Sequence, residues 1–165
     1  LAAGTMAAAQ GTMNNLTFGN SRHQYYETIA GGTGAGPTFD GTDAIQSHMT
    51  NSRLTDPEVM EWRYPVRVET FGIRGGSGGA GAHTGGNGAV RTIRFLEDME
   101  VSILSGHRSD GPPGLNGGAP GKPGATFVTR KDGSEQTLAA SDAAEVSPGD
   151  CVTVETPGGG GYGAP

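Results

Sequence analysis

Alternating apolar and polar residues predict short β-strands along most of the chain. In residues 66–74, Val66 and Val68 fall on one face of a strand and Arg67 and Glu69 on the other. Short strands separated by turn-forming residues are typical of an antiparallel sandwich or barrel. We predict strands over residues 16–18, 25–29, 66–74, 89–96, 100–104, 126–130, 135–138 and 151–156.

A single short helix is predicted near residues 57–63. Asp56 is a favourable N-cap, Pro57 suits the first helical turn, and Glu58 interacts well with the positive end of a helix. Pro65 ends this helix, because the residue before a proline avoids the α region.

These elements predict a mainly β fold with a loop-rich α+β N-terminal part. The C-terminal part is predicted to be an antiparallel β-sandwich or barrel-like. The sequence changes character at Pro65, which gives a provisional domain boundary. Residues 1–65 then form a loop-rich segment, and residues 66–165 form a glycine-rich all-β subdomain.

Glycine and proline are unusually abundant. The 165 residues include 31 glycines and 10 prolines, about a quarter of the chain, which is near the range of low-complexity sequences. However, the glycines cluster instead of recurring at every third position, which excludes collagen. Apolar stretches between the clusters argue against disorder. We therefore predict a folded domain with many loops built from glycine.

The remaining composition restricts the partners and the compartment. A net charge of −6 with only two lysines argues against nucleic-acid binding. The longest apolar run is well short of the roughly 18 residues that a membrane span needs. The single cysteine, Cys151, excludes an internal disulfide and fits the cytoplasm. The alanine-rich start at Leu1 suggests a piece of a longer chain.

Residues 76–81 (GSGGAG) satisfy the G-x-G-x-x-G pattern after a predicted strand. A dinucleotide fingerprint also requires a helix after the last glycine, so that its N-terminus holds the pyrophosphate. Here HTGGNG follows and leads into another strand. Residues 121–123 (GKP) also lack the Ser or Thr of a Walker A loop. We predict a glycine-bent connection and no cofactor bound by this segment.

The four histidines show no metal-ligand spacing, so any metal ligands stay unknown. His48 lies in residues 46–53 (QSHMTNSR), with Asn51 and Arg53 close by. This stretch gathers imidazole, amide and guanidinium groups, which suit a general base and groups that orient a polar substrate. The alternative is that His48 and Asn51 satisfy backbone groups inside an irregular loop.

Glu27 lies between aromatic residues, directly before the loop GGTGAGP. A carboxylate in a partly apolar setting is a candidate general base with a raised pKa. The alternative is an outward-facing strand residue. Asn14 and Asn15, in QGTMNN, are candidate substrate-binding donors, or they simply build a turn.

Several strings of residues occur here in one order. They are QGTMNN (10–15), YYETIAGGTGAGP (25–37), SHMTNSRLTDPEVMEWRYPV (47–66), RGGSGGAGAHTGGNG (74–88), GLNGGAPGKPG (114–124) and SPGDCVTVETPGGGGYG (147–163). This order resembles the C-terminal end of the hydantoinase B/5-oxoprolinase family, and the resemblance covers nearly the whole chain.

The resemblance implies an ATP-dependent enzyme that opens cyclic amides such as oxoproline or hydantoins. Acetone and acetophenone carboxylases are related. In such enzymes an A-type half binds ATP with magnesium and phosphorylates the substrate. A B-type half completes the reaction, typically with a divalent metal, whose ligands the resemblance places upstream of this segment.

We therefore expect the C-terminal fragment of a cyclic amide hydrolase, inactive alone, in which residues 1–65 complete the hydantoinase B core. Its expected partners are the upstream B-type chain, the A-type ATP-binding subunit or domain, and a small cyclic amide, in an oligomer in the cytoplasm. One alternative is a structural or partner-docking segment without catalytic residues. Another is part of a carboxylase. The residues expected to face the B-type cavity are Asn14, Asn15, Glu27, His48, Asn51 and Arg53.

Overall fold

A computed structural model describes residues 5–47 and 50–165. Within these residues the chain forms nine strands and one short helix, α1 (Pro57–Arg63). The strands are β1 (Asn15–Gly19), β2 (Gln24–Thr28), β3 (Val66–Arg74), β4 (Gly88–Phe95), β5 (Met99–Leu104), β6 (Ala125–Thr129), β7 (Glu135–Thr137), β8 (Ser141–Val146) and β9 (Cys151–Glu155).

The strands form two antiparallel sheets. Sheet I has the order β2-β1-β5-β8, and sheet II has the order β3-β4-β9-β6-β7. Each sheet keeps two edge strands, so the described strands do not close into a barrel. The mainly β prediction is confirmed, and its barrel alternative is wrong.

Side chains from both sheets form one hydrophobic core. Phe18 of β1 stacks on Tyr25 of β2 with ring centroids 4.8 Å apart, and it meets Phe95 of β4 edge-on at 5.3 Å. Ile93 and Val152, which are register partners in sheet II, are completely buried in the same core. Burial of these apolar surfaces holds the two sheets face to face.

Helix α1 forms where the sequence predicts it. The Asp56 carboxylate accepts a hydrogen bond from the Glu58 amide at 2.9 Å, and Met60 is buried against the core. Glu61 Oε1 accepts a hydrogen bond from the Val68 amide at 2.9 Å, which caps part of the free edge of β3. No helix among the described residues is long and apolar enough to cross a membrane.

Strand β8 is the element that the sequence pattern misses. It pairs with β5 in sheet I, where Ala144 faces Val101. Sheet I also joins residues from both sides of Pro65, because β1 pairs with β5 as well as with β2. The division of the chain at Pro65 stays a prediction.

Beside the sandwich, glycine-rich segments pack main chain against main chain. We call residues 31–36, 77–88, 111–124 and 157–163 the glycine bundle. Its central segment, residues 157–161, is completely enclosed by the other segments. The Gly159 amide donates to Gly86 O at 2.8 Å, and Gly159 O accepts from the Gly79 amide at 2.9 Å.

Close approach of backbones explains why glycine is needed there. A Cβ added at Gly159 would lie 1.8 Å from Thr33 O, and one at Gly85 would lie 2.0 Å from Gly159 O. A positive φ explains only a minority of these glycines, such as Gly117 with φ +93°. The G-x-G-x-x-G residues thus belong to a connection between β3 and β4 that contains no helix.

Candidate functional site

Two of the sequence motifs meet at one cavity of about 260 Å³. Residues 8–13 form one wall, which includes the first part of QGTMNN. Ser47 and Thr50, from the polar stretch after β2, and His107, from the loop after β5, form the rest. The cavity is therefore built by segments that are far apart in the sequence.

Hydrogen bonds with neighbouring loops hold the wall of residues 8–13. The backbone N–H of Gln10 donates to Gly32 O at 2.8 Å, which connects this wall to the glycine bundle. Thr12 Oγ1 accepts a hydrogen bond from the Gly106 amide at 2.7 Å. Gly11 adopts φ +60°, and a Cβ at this position would lie 3.0 Å from His107 Nε2. Glycine thus allows the imidazole to pack against the wall.

The hydrogen bond of His107 fixes its tautomer. Nδ1 lies 3.0 Å from the carbonyl oxygen of Asp110. A carbonyl oxygen only accepts, so Nδ1 carries the hydrogen, and in the neutral ring Nε2 is left as an acceptor. The residue itself adopts φ +49°, a conformation that non-glycine residues rarely adopt.

Asn14 is completely buried behind the cavity wall. Its Nδ2 donates to Gln10 Oε1 at 2.6 Å and to Ile29 O at 3.1 Å, and its Oδ1 accepts from Arg108 Nη1 at 3.2 Å. Its φ of +39° is left-handed, a region in which asparagine is enriched. These bonds fix the orientation of the Asn14 amide.

Arg108 lies behind Asn14 without a carboxylate partner among the described residues. Nη1 also donates to Gly106 O at 3.1 Å, and Nη2 donates to Thr126 Oγ1 at 3.3 Å. Burial of the guanidinium, together with the nearby charge of Arg74, lowers the pKa of Arg108 to about 10. Arg108 is therefore still protonated at neutral pH and places a positive charge behind the cavity.

Glu27 lies elsewhere, between the two sheets. Its Oε1 accepts a hydrogen bond from Arg91 Nε at 2.7 Å, and its Oε2 accepts one from the Tyr25 hydroxyl at 2.9 Å. Burial raises the pKa of Tyr25 to about 12; a hydrogen bond with Thr55 opposes this rise and the Glu27 charge adds to it. Phe71 covers the Arg91 guanidinium, 5.0 Å from the ring centroid.

The other predicted site residues are dispersed. Asn15 Oδ1 accepts hydrogen bonds from the Tyr26 hydroxyl at 2.9 Å and the Thr28 hydroxyl at 3.1 Å. Asn51 and Arg53 are exposed and form no hydrogen bond or ion pair with other described residues.

His48 lies outside the described residues. Of the five predicted residues that the structure describes, only Asn14 forms a side-chain hydrogen bond with a residue of the cavity wall, Gln10. The structure thus does not bring the described members of this set together.

The cavity also contains residues that the sequence reasoning missed. Gln10 belongs to the motif QGTMNN, whose asparagines are predicted site residues, so the motif itself is the signal for Gln10. His107, which lines the cavity, and Arg108, which lies behind Asn14, carry no comparable signal, because only the folding of the loop between β5 and β6 brings them there. In the part of the chain that the structure describes, no group of three His, Cys, Asp or Glu side chains could hold a metal ion.

The fold defines a class of protein: a two-sheet antiparallel sandwich joined to a glycine bundle. An ATP-dependent caprolactamase from Pseudomonas jessenii shares this fold, with a TM-score of 0.75 and 23% identity over 96% of this chain and 30% of that one. A nucleotide-free acetone carboxylase structure shares it with a TM-score of 0.76 and 18% identity, over 95% and 26% of the two chains.

The sequence comparison is more specific. The profile of the family Hydantoinase B/oxoprolinase matches residues 1–165, and the chain belongs to this family. It is 51% identical to 5-oxoprolinase 1 of Arabidopsis thaliana over 158 residues, which are 96% of this chain. The chain spans only 12% of the length of that relative. The resemblance predicted from the motifs is confirmed.

Proposed function

We propose that this chain is part of an ATP-dependent cyclic amide hydrolase of the 5-oxoprolinase or N-methylhydantoinase type. The observation that carries this proposal is the 51% identity to a plant 5-oxoprolinase over almost the whole chain. The fold shared with an enzyme described as an ATP-dependent caprolactamase supports the same class of reaction. The activity would belong to the complete assembly, because the chain corresponds to a small part of such an enzyme.

The proposed division of labour follows the family resemblance. An A-type half would bind ATP with magnesium and phosphorylate the substrate, and the upstream B-type chain would hold a divalent metal. The described residues of this segment do not suit either group, since they form no three-ligand cluster and no helix follows the glycine motif. The expectation that this segment binds no cofactor stays a prediction.

In this proposal, the cavity that residues 8–13 line helps to hold the small cyclic amide. Its polar groups are suited to orienting such a molecule, and its volume of about 260 Å³ fits a ligand of that size. Catalytic roles for Glu27, His48, Asn51 and Arg53, and substrate contacts of Asn14 and Asn15, stay predictions that substitution in the complete enzyme tests.

The decisive experiment is a substrate-stimulated ATPase panel on the complete protein. We expect ATP hydrolysis to rise with 5-oxoproline or a hydantoin and not with acetone plus bicarbonate. Stimulation by acetone plus bicarbonate and by neither cyclic amide would favour the carboxylase alternative. The fold shared with acetone carboxylase is the reason for testing it. A protein that none of these compounds stimulates would contradict the proposal.

A second candidate is a purely structural or docking role. The observation that favours it is the buried Glu27–Arg91 pair, in which both carboxylate oxygens of a predicted catalytic residue are already bonded. Co-purification of an A-type half with this segment, together with full activity of the Glu27, Asn51 and Arg53 alanine variants, would support this role.

A further inference from the structure

The side-chain amide of Gln10 accepts a hydrogen bond through its oxygen, and its NH₂ group has no partner among the described residues. The residue is only 3% exposed, and its Oε1 accepts the Asn14 hydrogen bond. Its Nε2 donates to no described residue. Among the described residues, the enclosed side-chain polar atoms without a partner are Gln46 Oε1, Arg91 Nη1 and Arg108 Nε, and Gln10 Nε2 is not one of them. Nε2 therefore stays open to the space that Gln10 lines, which is the cavity.

The orientation of this amide is fixed from behind by a chain of hydrogen bonds. A guanidinium only donates, so Asn14 Oδ1 must accept from Arg108 and Asn14 Nδ2 must donate. Ile29 O requires the same orientation, because a carbonyl only accepts. Gln10 must then present Oε1 to Asn14 and turn its NH₂ away. Gly31 leaves room for this arrangement, since a Cβ there would lie 2.1 Å from Gln10 Oε1.

The other polar groups of the cavity complement a donor at Gln10. The Thr12 hydroxyl oxygen already accepts the Gly106 amide, so its own hydrogen is available to donate. Thr50 Oγ1 donates to Ser47 O at 3.1 Å and keeps its lone pairs, and His107 Nε2 is an acceptor. The cavity thus offers donors for an oxygen and acceptors for an N–H group.

We propose that Gln10 is the oxygen-recognising residue of this cavity, donating from Nε2 to a carbonyl or carboxylate oxygen of a small ligand. Asn14 and Arg108 act as positioning residues, since they hold the Gln10 amide in its donating orientation. The ligand class is a lactam or its ring-opened amino acid. Either molecule presents a carbonyl or carboxylate oxygen and an N–H group. This identification of the ligand rests on the proposed function.

The test uses Gln10→Glu in the complete enzyme, with 5-oxoproline as the probe. This substitution keeps an oxygen facing Asn14 but replaces the donor with an acceptor. We expect the KM for 5-oxoproline and its Kd measured calorimetrically without ATP to rise about 10- to 100-fold, with kcat nearly unchanged. The control, Gln24→Glu, makes the same change at an exposed amide of β2 and should alter neither constant.

A second variant covers the case in which Gln10→Glu does not fold. Gln10→Asn keeps the amide but withdraws it by one methylene, and it should weaken binding in the same direction. Asn14→Gly, which tolerates the positive φ, should weaken binding less, because it only frees the Gln10 amide to rotate. Wild-type affinity in a folded Gln10→Glu or Gln10→Asn variant would overturn the proposal.

The two proposals fail in different ways. If the wild-type enzyme shows no ATPase stimulation but binds 5-oxoproline, hydantoin or caprolactam, the proposed reaction fails while the Gln10 proposal is still decided by the variants. If stimulation is normal and the Gln10 variants match wild type, only the Gln10 proposal fails. A wild-type protein that binds none of the three compounds overturns the assignment of a ligand to this cavity.

Discussion

Arg91 Nε lies 2.7 Å from Glu27 Oε1 in the space between the two sheets, where the side chains are only 1% and 3% exposed. Arg91 Nη2 faces the sulfur of Met60 at 3.7 Å, and Nη1 has no hydrogen-bond partner among the described residues. Among the described residues, Glu27 is therefore the only carboxylate that forms an ion pair with Arg91. Replacing one member of this pair should therefore lower the free energy of unfolding more than replacing both.

We expect Glu27→Gln to lower the free energy of unfolding by about 3–5 kcal/mol, since it leaves a buried, uncompensated guanidinium. The double variant Glu27→Gln, Arg91→Met should recover most of this loss, because it removes the charge as well. Urea unfolding followed by circular dichroism measures both. A double variant no more stable than the single one would contradict this account.

The same variant tests the predicted catalytic role of Glu27. If Glu27 acts as a general base, turnover of the complete enzyme should fall by about 100-fold or more in a folded Glu27→Gln protein. Unchanged ATP-coupled turnover in such a protein would exclude that role. Activity should be compared well below the unfolding temperature, so that lost stability is not mistaken for lost chemistry.

Tyr25 should make the protein sensitive to alkaline pH. Its folded pKa of about 12 lies above the ordinary value of 10, so the unfolded chain loses this proton first. The stabilisation is complete below pH 10 and is lost as pH rises towards 12, by on the order of 2–3 kcal/mol. We expect Tyr25→Phe to remove this part of the decline in urea unfolding. Tyr26→Phe, at an exposed tyrosine, should retain it.

Asp150 should contribute to stability at neutral pH and lose that contribution in acid. Burial raises the pKa of Asp150, but hydrogen bonds from Arg130 and from the Ser147 and Lys131 amides outweigh it and hold the pKa below its ordinary value. The stabilisation is therefore present above about pH 4 and is lost as pH falls through the lowered pKa.

We expect Asp150→Asn to cost about 1–3 kcal/mol at pH 7 and to differ less from wild type as the pH falls below about 4. Urea unfolding from pH 2 to pH 7 measures this convergence. Asp98→Asn, at an exposed position, should stay within about 0.5 kcal/mol of wild type. A constant difference between Asp150→Asn and wild type across this range would contradict the prediction.

The glycine bundle should be intolerant of a single added methyl group. Gly159→Ala would place Cβ 1.8 Å from Thr33 O, and backbone cannot yield as a flexible side chain does. We expect a loss of at least about 3 kcal/mol. Gly72→Ala, where a Cβ meets nothing within 4 Å, should be neutral or stabilising by up to about 1 kcal/mol. Thermal unfolding of both variants compares them; equal effects would contradict this account.

Local sequence signals predicted the elements whose residues carry a strong preference of their own. Strand β3 and helix α1 match their predicted ranges. Strand β8 was missed because SDAAEV has only one β-branched residue, and its position depends on pairing with β5. A partner about 40 residues away is not visible to a local pattern.

The candidate site was predicted only in part, for a related reason. Asn14 was singled out from its motif, but its role depends on Arg108, which is 94 positions away in the sequence. Glu27 was singled out for its aromatic neighbours, whereas its main partner, Arg91, comes from the opposite sheet. Contacts of this kind are set by tertiary packing, so residue type and spacing alone did not reveal them.

The enclosed position of residues 157–161 has a consequence for biosynthesis. The segments that surround it, including Thr33, Gly86 and Ala119, are all made earlier by the ribosome. Until residues 157–161 emerge, the carbonyl groups of Gly86 and Ala119 lack the Gly159 and Gly161 amides that donate to them in the folded protein. The bundle can therefore close only as a late step of folding, after the rest of its segments have been synthesised.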